Sequence, residues 1–151
     1  MSDSFLHILP NDPSYVPPEV ARQRAEAEFR AVLPGADEIS SELFESPRFV
    51  DPGENFESVS CPACHRVLET GWWMEEIDRA SATAFSDLSV QLPCCGATTT
   101  LNELKYAWPA GFARFVLSAR NPGLRGWLSP IYLARLEREL GCQLRQVLSY
   151  I

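Results

Sequence analysis

Apolar residues along this chain recur at two different periods, and the changes between them mark out its elements. Phe5, Leu6, Ile8 and Leu9 form a short apolar run stopped by Pro10 and the turn-rich Asn11-Asp12-Pro13-Ser14, which predicts a strand over Phe5–Leu9. His7 inside this run reads as an ordinary strand side chain. Ala21, Ala25, Phe29, Val32 and Leu33 then recur at helical spacing, with Arg22, Glu26 and Arg30 on other faces. Pro17-Pro18 suits the first turn of that helix, and Pro34-Gly35 ends it. Ile39–Phe44 alternates weakly and predicts a second strand, after which Arg48–Asn55 leads away through a turn.

The last third repeats this order. Phe112–Ser118 is strongly apolar and predicts a strand, Asn121-Pro122-Gly123 and Gly126 a loop, and Ser129-Pro130 the capped start of a helix running to Leu140. Leu144, Val147, Leu148 and Ile151 fit a helical face, but Gly141 breaks the preceding helix. The β-branched and aromatic residues that follow favour a strand over Leu144–Ile151. In the middle, Trp72, Trp73, Ile77 and Phe85 suit a helix, Leu88, Val90 and Leu92 alternate as a strand, and Thr98–Lys105 suits a short helix near Asn102. Strand-helix-strand on either side of a central segment predicts an α+β, ferredoxin-like βαββαβ sandwich with both helices on one face of the sheet. Residues 1–57 and 105–151 are then the two halves of the main domain, and 58–104 a metal-binding insertion.

Four of the five cysteines fall in that insertion, as Cys61-Pro62-Ala63-Cys64 and Cys94-Cys95-Gly96. A Cys-x2-Cys turn brings two thiolates to one ion, and two such clusters complete a tetrahedron around structural Zn²⁺. Cys61, Cys64, Cys94 and Cys95 are the expected ligands. Pro93 and Gly96 flank the adjacent pair and favour the sharp turn it needs. His65, directly after the first pair, is the alternative fourth ligand. Cys142 lies in an apolar segment and reads as a small buried hydrophobe. A thioredoxin-like redox pair at Cys61 and Cys64 would need a helix starting at the motif and gives the second pair no role. A deaminase zinc would need His-x-Glu before Pro-Cys-x-x-Cys, and the chain has neither half.

Over Ser58–Leu101 these clusters resemble the knuckles of zinc-ribbon proteins. Cys61 and Cys64 match the first ligand pair, and Gly96 stands where a glycine follows the second. The departure is that Cys94 and Cys95 are adjacent where a ribbon has a second Cys-x2-Cys. The whole chain also looks like small bacterial proteins of unassigned role, a likeness that brings no catalytic residues with it.

Composition narrows the function classes. With 151 residues, 46% of them hydrophobic, the chain can bury one main core, and no stretch reaches the roughly 18–20 apolar residues of a membrane span. The first sixteen residues lack a basic leader followed by an apolar core, so a cytoplasmic protein with reduced thiols is expected. The net charge of −7 hides a gradient: residues 1–60 hold 12 acidic and 4 basic side chains, 61–104 hold 6 and 2, and 105–151 hold 2 and 7. The basic end, with Trp108 and Trp127, admits an RNA or phosphate ligand, but the overall charge opposes it. No phosphate loop, His-Glu-x2-His helix or Gly-x-Ser-x-Gly elbow occurs. Pairing of Asp51, Glu54 and Glu57 for acid/base work is a weaker reading than a solvated acidic loop. The expectation is therefore a non-enzymatic, zinc-stabilised protein-binding or regulatory module, immunity- or antitoxin-like in its concrete form, with Asp37–Glu57 facing a basic partner.

Overall fold

The computed structural model describes residues 3–151. Two outer strand–helix–strand segments build the body: β1 (Ser4–Pro10), α1 (Glu19–Val32) and β2 (Glu38–Val50) before the cysteine region, then β7 (Gly111–Arg120), α3 (Pro130–Leu140) and β8 (Leu144–Tyr150) after it. These four strands form one antiparallel sheet in the order β2-β7-β1-β8. The C-terminal segment is a strand because β1 pairs with it over its whole length, from Ser4 opposite Tyr150 to Pro10 opposite Leu144.

Alternation along the central strands separates two apolar faces. Leu6 and Ile8 of β1 and Phe115, Leu117 and Ala119 of β7 pack with Ala25 and Phe29 of α1 and Leu136 and Leu140 of α3, so both helices cover one face. The helix ends follow their sequence. The Ser129 hydroxyl caps α3 by accepting from the Ile131 amide, and Gly141 closes it in the left-handed conformation at φ 73°. In α1 the prolines precede the helix, with Pro18 at the cap position. The opposite face carries a smaller cluster of Leu9, Val50, Ala113, Val116 and Val147. Among the described residues no helix is long and apolar enough to cross a membrane.

β2 runs further than its alternation suggests. Between Leu43 and Arg48 its register against β7 slips, leaving Phe44–Pro47 opposite Arg114 alone, and pairing resumes with Arg48–Val50 against Ala113–Gly111. Such a bulge breaks the period-two signal, so Arg48–Val50 reads as a turn in sequence although it is a strand in the structure. Arg114 Nε–H donates to the Phe44 carbonyl at 3.0 Å and fills the slip, and the buried Pro47 brings no amide that would need a partner.

The connection between β2 and β7 carries β3 (Ser58–Ser60), α2 (Thr70–Ser81), β4 (Ser89–Gln91), β5 (Thr98–Thr100), a 3-10 turn (Leu101–Glu103) and β6 (Lys105–Ala107). β3 pairs with β6 and β4 with β5, so the ribbon closes at Ala107. Phe85 is not on α2. The helix stops at Ser81, and Ala84 and Phe85 turn at φ 55° and 56°, which seats the Phe85 ring 5.4 Å from Phe112 of β7. Val59, Leu68, Ala80, Leu88, Val90, Leu92, Leu101 and Leu104 form a second core that includes Phe112 and packs against Phe49. A polar joint accompanies it. Asn102, 2% exposed, donates to the Asn11 carbonyl at 2.8 Å and accepts from the Phe112 amide at 2.8 Å, while Arg145 donates to Asn11 Oδ1, the Asn102 carbonyl and the Ala110 carbonyl. A buried amide with its bonds made fixes geometry at little cost, whereas the same group left unpaired costs about 1–3 kcal/mol.

His7 lies on the sheet face away from the helices, and its Nδ1 shares a 2.8 Å hydrogen bond with Ser118 Oγ. Burial pushes its imidazole down from 6.5 to about 4. Below about pH 6.5 the unfolded chain therefore takes up a proton that the folded chain refuses until about pH 4. The stability owed to neutral His7 is complete above that window and is lost as pH falls through it, by up to about 3 kcal/mol. An NMR titration should place the His7 midpoint below pH 5, and His7→Gln should flatten this part of the acid limb in urea denaturation. A midpoint near 6.5 would refute the assignment.

Candidate metal centre

The second cysteine pair sits in the tight turn joining β4 to β5, the first in a tight turn after β3 that an isolated Ser60–Val67 bridge closes, and the two turns are built alike. In the first, the Cys61 amide donates to the Arg66 carbonyl and the His65 amide to the Cys61 carbonyl. In the second, the Leu92 amide donates to the Ala97 carbonyl and the Gly96 amide to the Leu92 carbonyl. Both turns pass through a left-handed residue at the same place, His65 at φ 67° and Gly96 at φ 75°. Cys61-Pro62-Ala63-Cys64-His65 thus corresponds position for position to Leu92-Pro93-Cys94-Cys95-Gly96. Cys95 takes the place of Cys64, buried Leu92 takes the place of buried Cys61, and Cys94 stands where Ala63 does. The adjacency of Cys94 and Cys95 is a knuckle in which the first sulfur has moved two residues along the turn.

The two knuckles meet at their tips. The sulfurs of Cys61, Cys64, Cys94 and Cys95 all lie within 4.8 Å of one another, with Cys61 and Cys95 3.8 Å apart and Cys64 and Cys94 3.3 Å apart. Sulfurs arranged about 2.3 Å from a central zinc have edges of about 3.8 Å, so the cluster has the size of a tetrahedral site and could hold a metal ion. Among the described residues no other group of three or more Cys, His, Asp or Glu side chains has this closeness. His65 is exposed and outside the group. Cys142 packs against the helix-side core of the body, and burial, followed by Glu137 and Asp12, pushes its thiol up to about 11.

Electrostatics fit the same chemistry. Burial acts to raise the Cys61 thiol, but the amides of Cys64 and Ala63, each 3.3 Å from its sulfur, and the neighbouring Cys64 and Cys94 sulfurs outweigh it and bring it down to about 6. Burial and the surrounding sulfurs hold Cys94 up to about 12. Four sulfurs at this spacing cannot all ionise beside one another unless a cation sits among them, and a bound metal requires them deprotonated. The first pair follows β3 and precedes α2 by several residues, so no helix N-terminus lowers its thiols as a thioredoxin-like pair requires. The chain matches no family model, no curated protein and no solved structure.

The knuckle correspondence makes a specific prediction. Cys94→Ala should lower zinc retention, and adding Leu92→Cys, which restores the spacing of the first knuckle, should recover it. Native mass spectrometry reads both variants, with Cys142→Ala as a control that leaves the metal content unchanged. If the double variant binds no better than Cys94→Ala, the two turns are not equivalent as ligand frames. Metal removal has a separate expected outcome: a chelator should abolish amide protection across β3–β6 while β1, β7 and β8 keep theirs. Uniform loss in hydrogen exchange would show one cooperative unit instead.

Proposed function

We propose that the chain is a non-enzymatic, zinc-stabilised protein-binding module of the cytoplasm, immunity- or antitoxin-like in kind. Its partner is a protein with a basic surface. The carrying observation is a run of exposed carboxylates without counter-ions. Asp37, Glu38, Glu42, Glu45, Asp51, Glu54 and Glu57 are all exposed, and of these only Asp37 has an ion pair among the described residues, 3.7 Å from Arg120. Three of them, Glu38, Glu42 and Glu45, lie on β2, an edge strand of the sheet. Charge of one sign along an edge discourages self-pairing and steers an oppositely charged partner.

In this reading zinc is held by Cys61, Cys64, Cys94 and Cys95 in a closed tetrahedron, which staples residues 58–104 as an insertion and offers no open position to a substrate. The body is a ferredoxin-like sandwich, a reading supported by the antiparallel order β2-β7-β1-β8 and by both helices sharing one face. The basic C-terminal residues give less support to a nucleic-acid surface. Arg145 is engaged at the polar joint, Arg114 at the bulge, and Arg135 and Arg120 beside Glu28 and Asp37.

Reversing Glu38, Glu42 and Glu45 to lysine should weaken capture of the native partner by about tenfold or more at low salt and by less at 0.5 M salt, where screening already suppresses the attraction. Circular dichroism and zinc content should not change. Capture unaffected by the reversals would reject the acidic surface as the binding face.

A further inference from the structure

Four aromatic rings that serve no core line one cavity at the end of the sheet. The cavity measures about 310 Å³ and is bounded by Phe5 of β1, Tyr150 of β8, Trp108, and Leu124 and Trp127 of the loop before α3. Trp108, Trp127, Tyr150 and Leu124 are each between 38% and 42% exposed. Leaving this much aromatic surface in water forgoes its burial, and exposed aromatic concentrations of this kind mark binding sites. The walls are also held in place. The Gln146 side chain clamps Leu128 from both sides, accepting from its amide at 2.7 Å and donating to its carbonyl at 3.2 Å, which fixes the loop next to Trp127. On the other wall, Trp108 Nε1–H donates to Glu57 at 3.4 Å, and the Glu57 amide bonds the Ala107 carbonyl.

Geometry and charge together select the guest. The two indoles stand 6.3 Å apart at 36°, closer than the roughly 7 Å that a flat ring sandwiched between two aromatic faces requires at van der Waals contact. They form one bent wall, suited to a rounded group lying against it and not to an intercalated base. The segment beside the cavity, Asp51–Glu57, lines it through Asn55 and brings three carboxylates to its rim against the single Arg125 between Leu124 and Gly126 of the opposite loop, and it is tied to the site by the Glu54 amide on the Tyr150 carbonyl and by Glu57 on Trp108. Gly53 is required for that approach: at φ 64°, a Cβ there would meet the Tyr150 carbonyl oxygen at 2.5 Å. Among the described residues the cation–π contacts are Arg48 on Phe44 and Arg135 on Tyr132, and none of their side chains fills this role in the cavity.

We infer that the Trp108–Trp127 cavity binds a free organic cation bearing an alkylated ammonium group, such as a quaternary ammonium, through cation–π contact with the indoles and attraction to Glu57. The site shares Glu57 with the end of the acidic run but uses none of the β2 carboxylates Glu38, Glu42 and Glu45, so the reversals at those three positions leave it intact and the two proposals fail separately. The test is a titration of the full-length, zinc-loaded protein with choline and tetramethylammonium, observed through the indole N–H resonances. The neutral isostere 3,3-dimethylbutan-1-ol, a proline-rich peptide and a single-stranded oligonucleotide serve as the other arms. Choline should give saturable shifts at Trp108 and Trp127 in the millimolar range, and the isostere should bind about tenfold more weakly, because it matches the shape without the charge. Trp127→Leu keeps an apolar wall and should abolish the shifts with zinc content and fold intact, and Glu57→Gln should weaken them severalfold. Equal affinity for the isostere, no saturation by choline up to about 100 mM, or shifts from the peptide or oligonucleotide that choline fails to compete away would each overturn the proposal.

Discussion

Val50 pairs with Gly111, and everything between them must leave and return at neighbouring points of one sheet. Residues 51–110 are in effect a very long hairpin connection, and closing it costs only slowly growing entropy as long as its ends are held together. The β2–β7 pairing holds them, including the three pairs beyond the bulge. The cysteine region docks on that same stretch: Phe112 belongs to its core, Phe49 packs against Trp73, Tyr106 and Phe112, and the Asn102 carboxamide bonds the Phe112 amide. Without the pairing beyond the bulge, the second core would lose the aromatic floor it rests on.

The second core rests on strands only three residues long, so the two knuckles bear much of the burden of holding it in shape. Aromatic contacts supply the remainder. Trp73 stacks on Phe56 at 5.2 Å and donates to the Tyr106 hydroxyl, which in turn donates to the Leu101 carbonyl at 2.6 Å, and burial pushes the Tyr106 phenol up to about 12. Phe49, Trp73 and Tyr106 thereby pack against the second core. Trp108 and Trp127 differ from them because they project beyond both cores into solvent.

Charge follows the same division. Four of the seven basic residues of the last third, Arg114, Arg120, Arg135 and Arg145, are engaged in separate local contacts, whereas the carboxylates of Asp37–Glu57, along an edge strand and the segment after it, make a single ion pair among the described residues, Asp37 to Arg120. A chain of net charge −7 therefore presents its excess mainly where β2 and its exit lie. Dispersal of the positive charges weakens any single basic patch, and clustering of the negative ones strengthens the field at one edge.

The sequence by itself determined the elements whose signals are local. Helix α3 is bounded by Ser129-Pro130 and Gly141, β1 and the middle of β7 are apolar runs, and Cys61-x2-Cys64 declares a metal-sized turn, because caps, periods and ligand spacing all act within a few residues. The final strand was legible once Gly141 was given its weight. Tertiary structure decided what depends on partners far along the chain. The extension of β2 through a bulge was set by β7, and the departure of Phe85 from α2 by the place offered beside Phe112. The equivalence of Leu92 with Cys61 appears only when the two turns' hydrogen bonds are compared, since it matches backbone geometry and not residue type. The meeting of Phe5, Trp108, Trp127 and Tyr150 at one cavity brings together residues from opposite ends of the chain, a proximity that no local spacing records.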